Sequence, residues 1–147
     1  MQYEGFIRPL NFQVVGGNLL LILRLLGLLF VPPVVAALAF VEIPLAVIFA
    51  SCGAVAFVVG HFVRREKELA IASAREPTTK ESLVVVALAY LVAALMGSIP
   101  FLSAGSFVDA FFEAMSGITT TGFSVFEPSK LPRSLVFFRS YLQWIGG

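Results

Sequence analysis

Charged residues, histidine and cysteine are scarce in this chain of 147 residues. Charged residues make up 13% of it, and it has one histidine and one cysteine. A single cysteine excludes an internal disulfide framework, and the net charge of +1 implies no nucleic-acid partner. No constellation of nucleophile, general base or metal ligands is visible in the sequence. It therefore predicts a protein that is not an enzyme and that carries no covalent cofactor.

Apolar residues are abundant instead. They make up 59% of the chain, whereas a soluble domain has about 45–50%. Because a helix of about 20 apolar residues crosses a bilayer, we expect an all-α integral membrane protein. The apolar runs predict transmembrane helices over residues 18–41, 43–63 and 82–101. Pro32-Pro33 should kink the first of them, since proline lacks the backbone donor.

The positions of Lys and Arg predict the orientation. Five of these residues lie in the polar loop 64–81, two more lie N-terminal to it, and two lie in the later loops. The loops on the cytoplasmic side of a membrane protein carry an excess of Lys and Arg. We therefore predict that loop 64–81 and the N-terminal lead-in, residues 1–17, are cytoplasmic. The two helices over residues 18–63 would form a preceding domain in the cell inner (plasma) membrane.

A short amphipathic helix is predicted over residues 106–118, and it is too short to cross a bilayer. Ser106 can cap its N-terminus, with Asp109 three residues later as an acidic form of the capping box. Its apolar residues recur at helical spacing. We expect the helix to stop near Gly117.

The next segment, residues 119–124, contains three consecutive threonines, which disfavour helix, and then Gly122, which permits unusual backbone angles. Extended backbone at membrane depth is tolerated only where protein buries it or water reaches it. A row of carbonyls that replaces the water around a cation meets that condition. In isolation the same residues are typical of an ordinary polar turn. With a capped half-helix before them and apolar segments on both sides, they predict a cation-selectivity filter.

Asp109 and Glu113 lie on one side of the half-helix, four residues apart. They could attract cations to the outer mouth of a pore. Alternatively, Asp109 is the helix cap and Glu113 a buried, hydrogen-bonded carboxylate that fixes the half-helix against a neighbour. The second alternative is the more ordinary one.

A further apolar segment begins at residue 134, and the chain stops at Gly147, midway through what should be a fourth span. We therefore expect a fragment. The outer helix 82–101, pore helix 106–118, filter 119–124 and inner-helix start 134–147 together predict one helix–pore-loop–helix repeat over residues 82–147.

The residues DAFFEAMSGITTTGFSV, from Asp109 to Val125, and FFRSYLQWIGG, from Phe137 to Gly147, resemble the first pore repeat of the Trk/Ktr/HKT superfamily of potassium transporters. The resemblance is to the N-terminal part of a TrkH-type membrane subunit. It implies two leading transmembrane helices and then the first of four repeats around one potassium-channel-like pore, with the last helix truncated here.

The resemblance also implies a function and a site. The function is potassium uptake with a channel-like filter. Carbonyls of Thr120, Thr121, Gly122 and Phe123 would bind potassium, chiefly at Thr120 and Thr121. Thr119 would lead into the filter. The supporting residues would be Ser124, Asp109 and Glu113.

The family implies several partners: membrane lipid, the remaining repeats of the same chain, a second copy in a homodimer, and a cytosolic nucleotide-binding regulatory subunit. Two alternatives remain open. The chain could be one subunit of a homotetrameric cation channel, or a non-conducting assembly subunit of a membrane complex.

Overall fold

The computed structural model describes residues 10–62 and 77–147, apart from the side chain of Phe62. The described part is helical and contains no strand. Three of its helical segments are long and apolar enough to cross a membrane. The helices are α1 Phe12–Leu29, α2 Val31–Ala39, α3 Ile43–Phe62, α4 Thr79–Phe101, α5 Phe107–Ile118 and α6 Arg133–Gly146, with a short 3₁₀ turn at Pro128–Lys130. An all-α integral membrane fold is thereby confirmed.

Helix α1 begins at Phe12, six residues before the predicted start at Asn18. The Asn11 side chain accepts a hydrogen bond from the backbone N–H of Gln13 and so caps the helix. Part of the predicted lead-in is therefore helical. The helix is interrupted at Phe30, and Pro32 and Pro33 lie in the first turn of α2, which begins at Val31. Most of the predicted loop 64–81 lies outside the described residues.

Glycines allow α1 and α3 to approach at backbone distance. A Cβ atom on Gly27 would lie 2.7 Å from the backbone nitrogen of Phe57. On Gly60 it would lie 2.6 Å from the backbone nitrogen of Arg24. Small residues at such contacts are the usual means of helix association in membranes. The two leading helices therefore form a tight antiparallel pair.

A cluster of phenylalanines joins this pair to the rest of the chain. The ring of Phe138 on α6 lies 4.9 Å from Phe49, 5.6 Å from Phe101 and 5.7 Å from Phe30, measured between ring centroids. These four rings come from different helices or helix breaks and are buried. Phe138 thus joins α6 to the leading helices and to the end of α4.

Polar contacts join the helix ends on the two sides of the bundle. At one side, Glu42 in the α2–α3 turn accepts hydrogen bonds from the backbone N–H groups of Arg133 (2.9 Å) and Ser134 (3.0 Å) and from the Ser134 hydroxyl. Burial opposes ionisation of Glu42, but these hydrogen bonds outweigh it and lower the pKa of the carboxyl below 4.5. At the other side, the buried Glu81 accepts from the backbone N–H of Asn11 (3.1 Å). The start of α6 therefore lies on the opposite side from the starts of α1 and α4.

Candidate functional site

The half-helix α5 is twelve residues long, about 18 Å at 1.5 Å per residue, so it does not cross the ~30 Å core of a bilayer. The predicted capping box is present. Ser106 Oγ accepts from the Asp109 N–H, and the Asp109 carboxylate accepts from the Ser106 N–H, both at 3.3 Å. The helix ends at Ile118, one residue after Gly117. Asp109 therefore acts as part of the cap.

The end of α5 is a Schellman turn with threonine in the position that glycine usually takes. The N–H of Thr120 donates to the Gly117 carbonyl (2.9 Å), and the N–H of Thr121 donates to the Ser116 carbonyl (3.0 Å). Thr120 has φ of 58°, in the left-handed region. A β-branched residue there is strained. Strain of this kind persists only where the surroundings impose it, and it concentrates at functional sites.

Ser116 holds the threonine-rich segment against the end of α5. Its carbonyl accepts from the N–H groups of Thr121 and Gly122, and its hydroxyl donates to the Phe123 carbonyl at 2.6 Å. Gly122 has φ of 80°, a conformation that other residues resist. The segment therefore returns along α5 and does not continue the helix.

Glu113 lies behind the same segment and is 1% exposed. Its carboxylate accepts from the Ser124 hydroxyl, 2.9 Å from each oxygen, and from the Val125 N–H at 3.1 Å. Its Oε1 lies 2.7 Å from Nε of Arg139 on α6. Glu113 is therefore the buried, hydrogen-bonded carboxylate that the second sequence-based alternative described.

The backbone carbonyls of the segment fall into two groups. Those of Gly122 and Phe123 accept hydrogen bonds from Arg139 (3.1 Å) and Ser116. Within the described residues, no protein group donates to the carbonyls of Thr120 and Thr121. Both threonines are exposed. Two carbonyl oxygens of exposed residues that accept no hydrogen bond are suited to bind a cation. The ion-binding role of all four residues stays a prediction.

Helix α6 packs directly behind this segment. A Cβ atom on Gly146 would lie 1.8 Å from the Ile118 carbonyl oxygen, and one on Gly117 would lie 3.1 Å from Leu142 Cβ. Glycines at these two positions therefore allow α6 to pack closely against the end of α5. The last turn of α5 has no space to shift toward α6.

Ser116 and Arg139 are contacts of the segment that the sequence interpretation did not identify. Arg139 carried a usable signal, because a charge inside an apolar segment is a functional hypothesis by default. Ser116 carried none. Among the described residues there is no cluster of three or more His, Cys, Asp and Glu side chains that could hold a metal.

The described residues thus form a helical membrane chain in which a half-length helix and an exposed, non-helical segment lie between the long apolar helix α4 and helix α6. The TrkH family of cation transport proteins matches residues 47–147, and the chain belongs to this family.

The chain is 32% identical to a Trk system potassium uptake protein TrkH of Halomonas elongata, over 88% of this chain and 29% of that protein. It is 47% identical to an uncharacterized cation transporter of Methanocaldococcus jannaschii, over 45% of this chain and 15% of that protein. It is 31% identical to the Trk system potassium uptake protein TrkG of Escherichia coli, over 84% and 26%. The chain thus spans less than a third of the length of these relatives.

Proposed function

We propose that this chain supplies one repeat of a cation-selective pore and that the complete assembly takes up potassium. The observation that supports this most is the return of residues 119–125 along α5, where Thr120 and Thr121 are exposed and their carbonyls accept no hydrogen bond from the described residues. We infer potassium as the substrate from the relatives that are named as potassium uptake proteins. The membrane potential would drive uptake with about 2.3 kcal/mol per elementary charge per 100 mV.

The ion site that we propose has Thr120 and Thr121 as its principal ligands in this repeat. A potassium ion that sheds water would recover oxygen ligands from these two carbonyls. The carbonyl end of α5, the negative end of its dipole, adds a favourable field. Gly122 would contribute chiefly through its backbone conformation, because its carbonyl and that of Phe123 already accept hydrogen bonds.

Family membership supports a larger assembly, which we propose as follows. The remaining repeats of the pore would surround the same axis, and two such assemblies would form a dimer with a cytosolic nucleotide-binding regulatory subunit. We propose the inner (plasma) membrane as the location, with the N-terminus and loop 64–81 cytoplasmic. The relatives are named as transporters, so we propose transport without covalent chemistry.

The test is potassium and rubidium uptake through the complete assembly in a strain that lacks other uptake systems. Gly122→Asp should abolish uptake, because it places a side chain at a positive φ and a carboxylate beside the ion path. Gly122→Ala should lower uptake through the backbone alone, by about tenfold, the factor that corresponds to the ~1–2 kcal/mol cost of a left-handed residue.

Gly16→Ala is the matched control, because a Cβ atom at Gly16 meets no atom within 4 Å. Its uptake should equal that of the unchanged protein. If Gly122→Asp conducts normally at equal abundance in the membrane, the filter proposal is wrong, and the assembly-subunit alternative becomes the better explanation.

A further inference from the structure

Arg139 has a position that the proposed pore does not by itself require. It lies in α6, its side chain is 20% exposed, and its guanidinium makes two contacts with different elements. Nε lies 2.7 Å from the Glu113 carboxylate of α5, and Nη2 donates to the Gly122 carbonyl at 3.1 Å. One side chain therefore connects the half-helix, the inner helix and the extended segment.

The charge of Glu113 is matched on all sides. Besides Arg139, the Ser124 hydroxyl and the Val125 N–H contact the carboxylate. A buried charge that has lost its partner is strongly destabilising. Loss of Arg139 would leave the Glu113 carboxylate as an unpaired negative charge next to the segment. Loss of Glu113 would instead leave an unpaired cation beside the proposed path of another cation.

The fixed fork of a guanidinium suits two acceptors at once. A lysine ammonium is a compact charge on a flexible stem, so it would satisfy Glu113 without also holding the Gly122 carbonyl in the same geometry. The residue type at position 139 therefore matters as well as its charge.

We propose that Arg139 is a positioning residue of the ion path. It holds the Gly122 carbonyl turned toward α6, so that Thr120 and Thr121 present the oxygens to the ion, and it cancels the charge of Glu113 beside them. This inference rests on the proposed function. Arg139 acts through Gly122 and Glu113 and does not itself contact the ion.

The experiment compares Arg139→Gln, Glu113→Gln, the double variant and Arg139→Lys in the complete assembly, reading potassium uptake and its discrimination against sodium. Each single neutralisation should lower uptake or discrimination by roughly tenfold or more, because each leaves one unpaired charge at short range. The double variant should recover part of the loss, since no unpaired charge remains. Arg139→Lys should keep its abundance in the membrane and lose discrimination.

Arg133→Gln is the matched control, because it makes the same change at an exposed arginine of the same helix; its uptake and discrimination should not change. Normal uptake together with normal discrimination in Arg139→Gln, additive losses in the double variant, or full discrimination in Arg139→Lys would each overturn the inference. If the Arg139→Gln protein does not accumulate in the membrane, the results for the double variant and for Arg139→Lys test the inference.

Failure of the inference and failure of the proposed function are distinguishable. If Gly122→Asp abolishes uptake while the Arg139 variants behave as the unchanged protein, the pore stands and the positioning role of Arg139 falls. If Gly122→Asp leaves uptake intact, both fall together.

Discussion

Replacing Thr120 by glycine should stabilise the protein and at the same time impair transport. Thr120 has φ of 58°, in the left-handed region, and the turn that it closes requires this angle because the N–H groups of Thr120 and Thr121 donate to Gly117 and Ser116. Glycine adopts that angle without steric cost.

The size of the effect follows from two opposed contributions. A left-handed residue with a side chain costs roughly 1–2 kcal/mol, and glycine loses about 0.5–1 kcal/mol of conformational entropy on folding. The Thr120 hydroxyl donates only to the neighbouring Thr119 carbonyl and is exposed, so little else is lost. The free energy of unfolding should therefore rise by about 0.5–1 kcal/mol. This increase corresponds to a rise of roughly 1–4 °C in the apparent melting temperature.

Val41 provides a matched control. It is also β-branched and exposed, its φ is 59°, and it closes the same kind of turn at the end of α2. Val41→Gly should raise the melting temperature in detergent by a similar amount. Only Thr120→Gly should lower potassium uptake, by about two- to fivefold, because a looser backbone weakens the proposed ligand geometry by about 0.5–1 kcal/mol.

Two results would refute this reasoning. A lower melting temperature for Thr120→Gly, alongside a higher one for Val41→Gly, would mean that the Thr120 backbone is not strained. Equal stabilisation of both variants with unchanged uptake would mean that the strained threonine plays no part in transport.

Three further predictions concern packing and pH. Glu42→Ala should lower the free energy of unfolding by about 1–2 kcal/mol, because it removes the cap of α6. Since the pKa of Glu42 is lowered, the stability that Glu42 contributes should be full above the ordinary carboxyl pKa and should disappear as pH falls through the lowered pKa. Melting curves from neutral to acidic pH measure this loss. Gly146→Ala should cost about 1–3 kcal/mol or prevent assembly, since its Cβ would overlap the Ile118 carbonyl; abundance in the membrane reports this. Phe138→Ala should cost about 3–5 kcal/mol in melting experiments, and the exposed Phe137→Ala much less.

The half-helix could be predicted from sequence because its signals are local. The capping box depends on residues three apart, and the predicted limits of the helix differ from the structure by one residue at the N-terminus. The helix ends at Ile118, one residue after the predicted stop near Gly117. Gly117 is still helical, and its missing side chain makes space for Leu142 of α6.

The partners of the segment could not be predicted, because they depend on how α6 docks. Arg139 is 26 residues from Glu113 along the chain and meets it only once α6 packs against α5. The early start of α1 was missed for a local reason. Asn18 looks like a break in the apolar pattern, but its side-chain amide donates to the Val14 carbonyl inside the helix at 2.8 Å. A polar residue satisfied in this way does not end a helix.

Two features that reduce stability meet at the proposed filter segment. A glycine at position 120 would relieve backbone strain. An apolar pair in place of Glu113 and Arg139 is often neutral or stabilising compared with a buried ion pair. A chain shaped for stability alone has no need of either feature, whereas a cation path needs carbonyls held in one direction and no unpaired charge beside them. The strain lies in the Thr120 backbone, and the charge lies in the side chains behind it. Combining Thr120→Gly with the Glu113→Gln/Arg139→Gln double variant should therefore lower potassium discrimination further than either change alone.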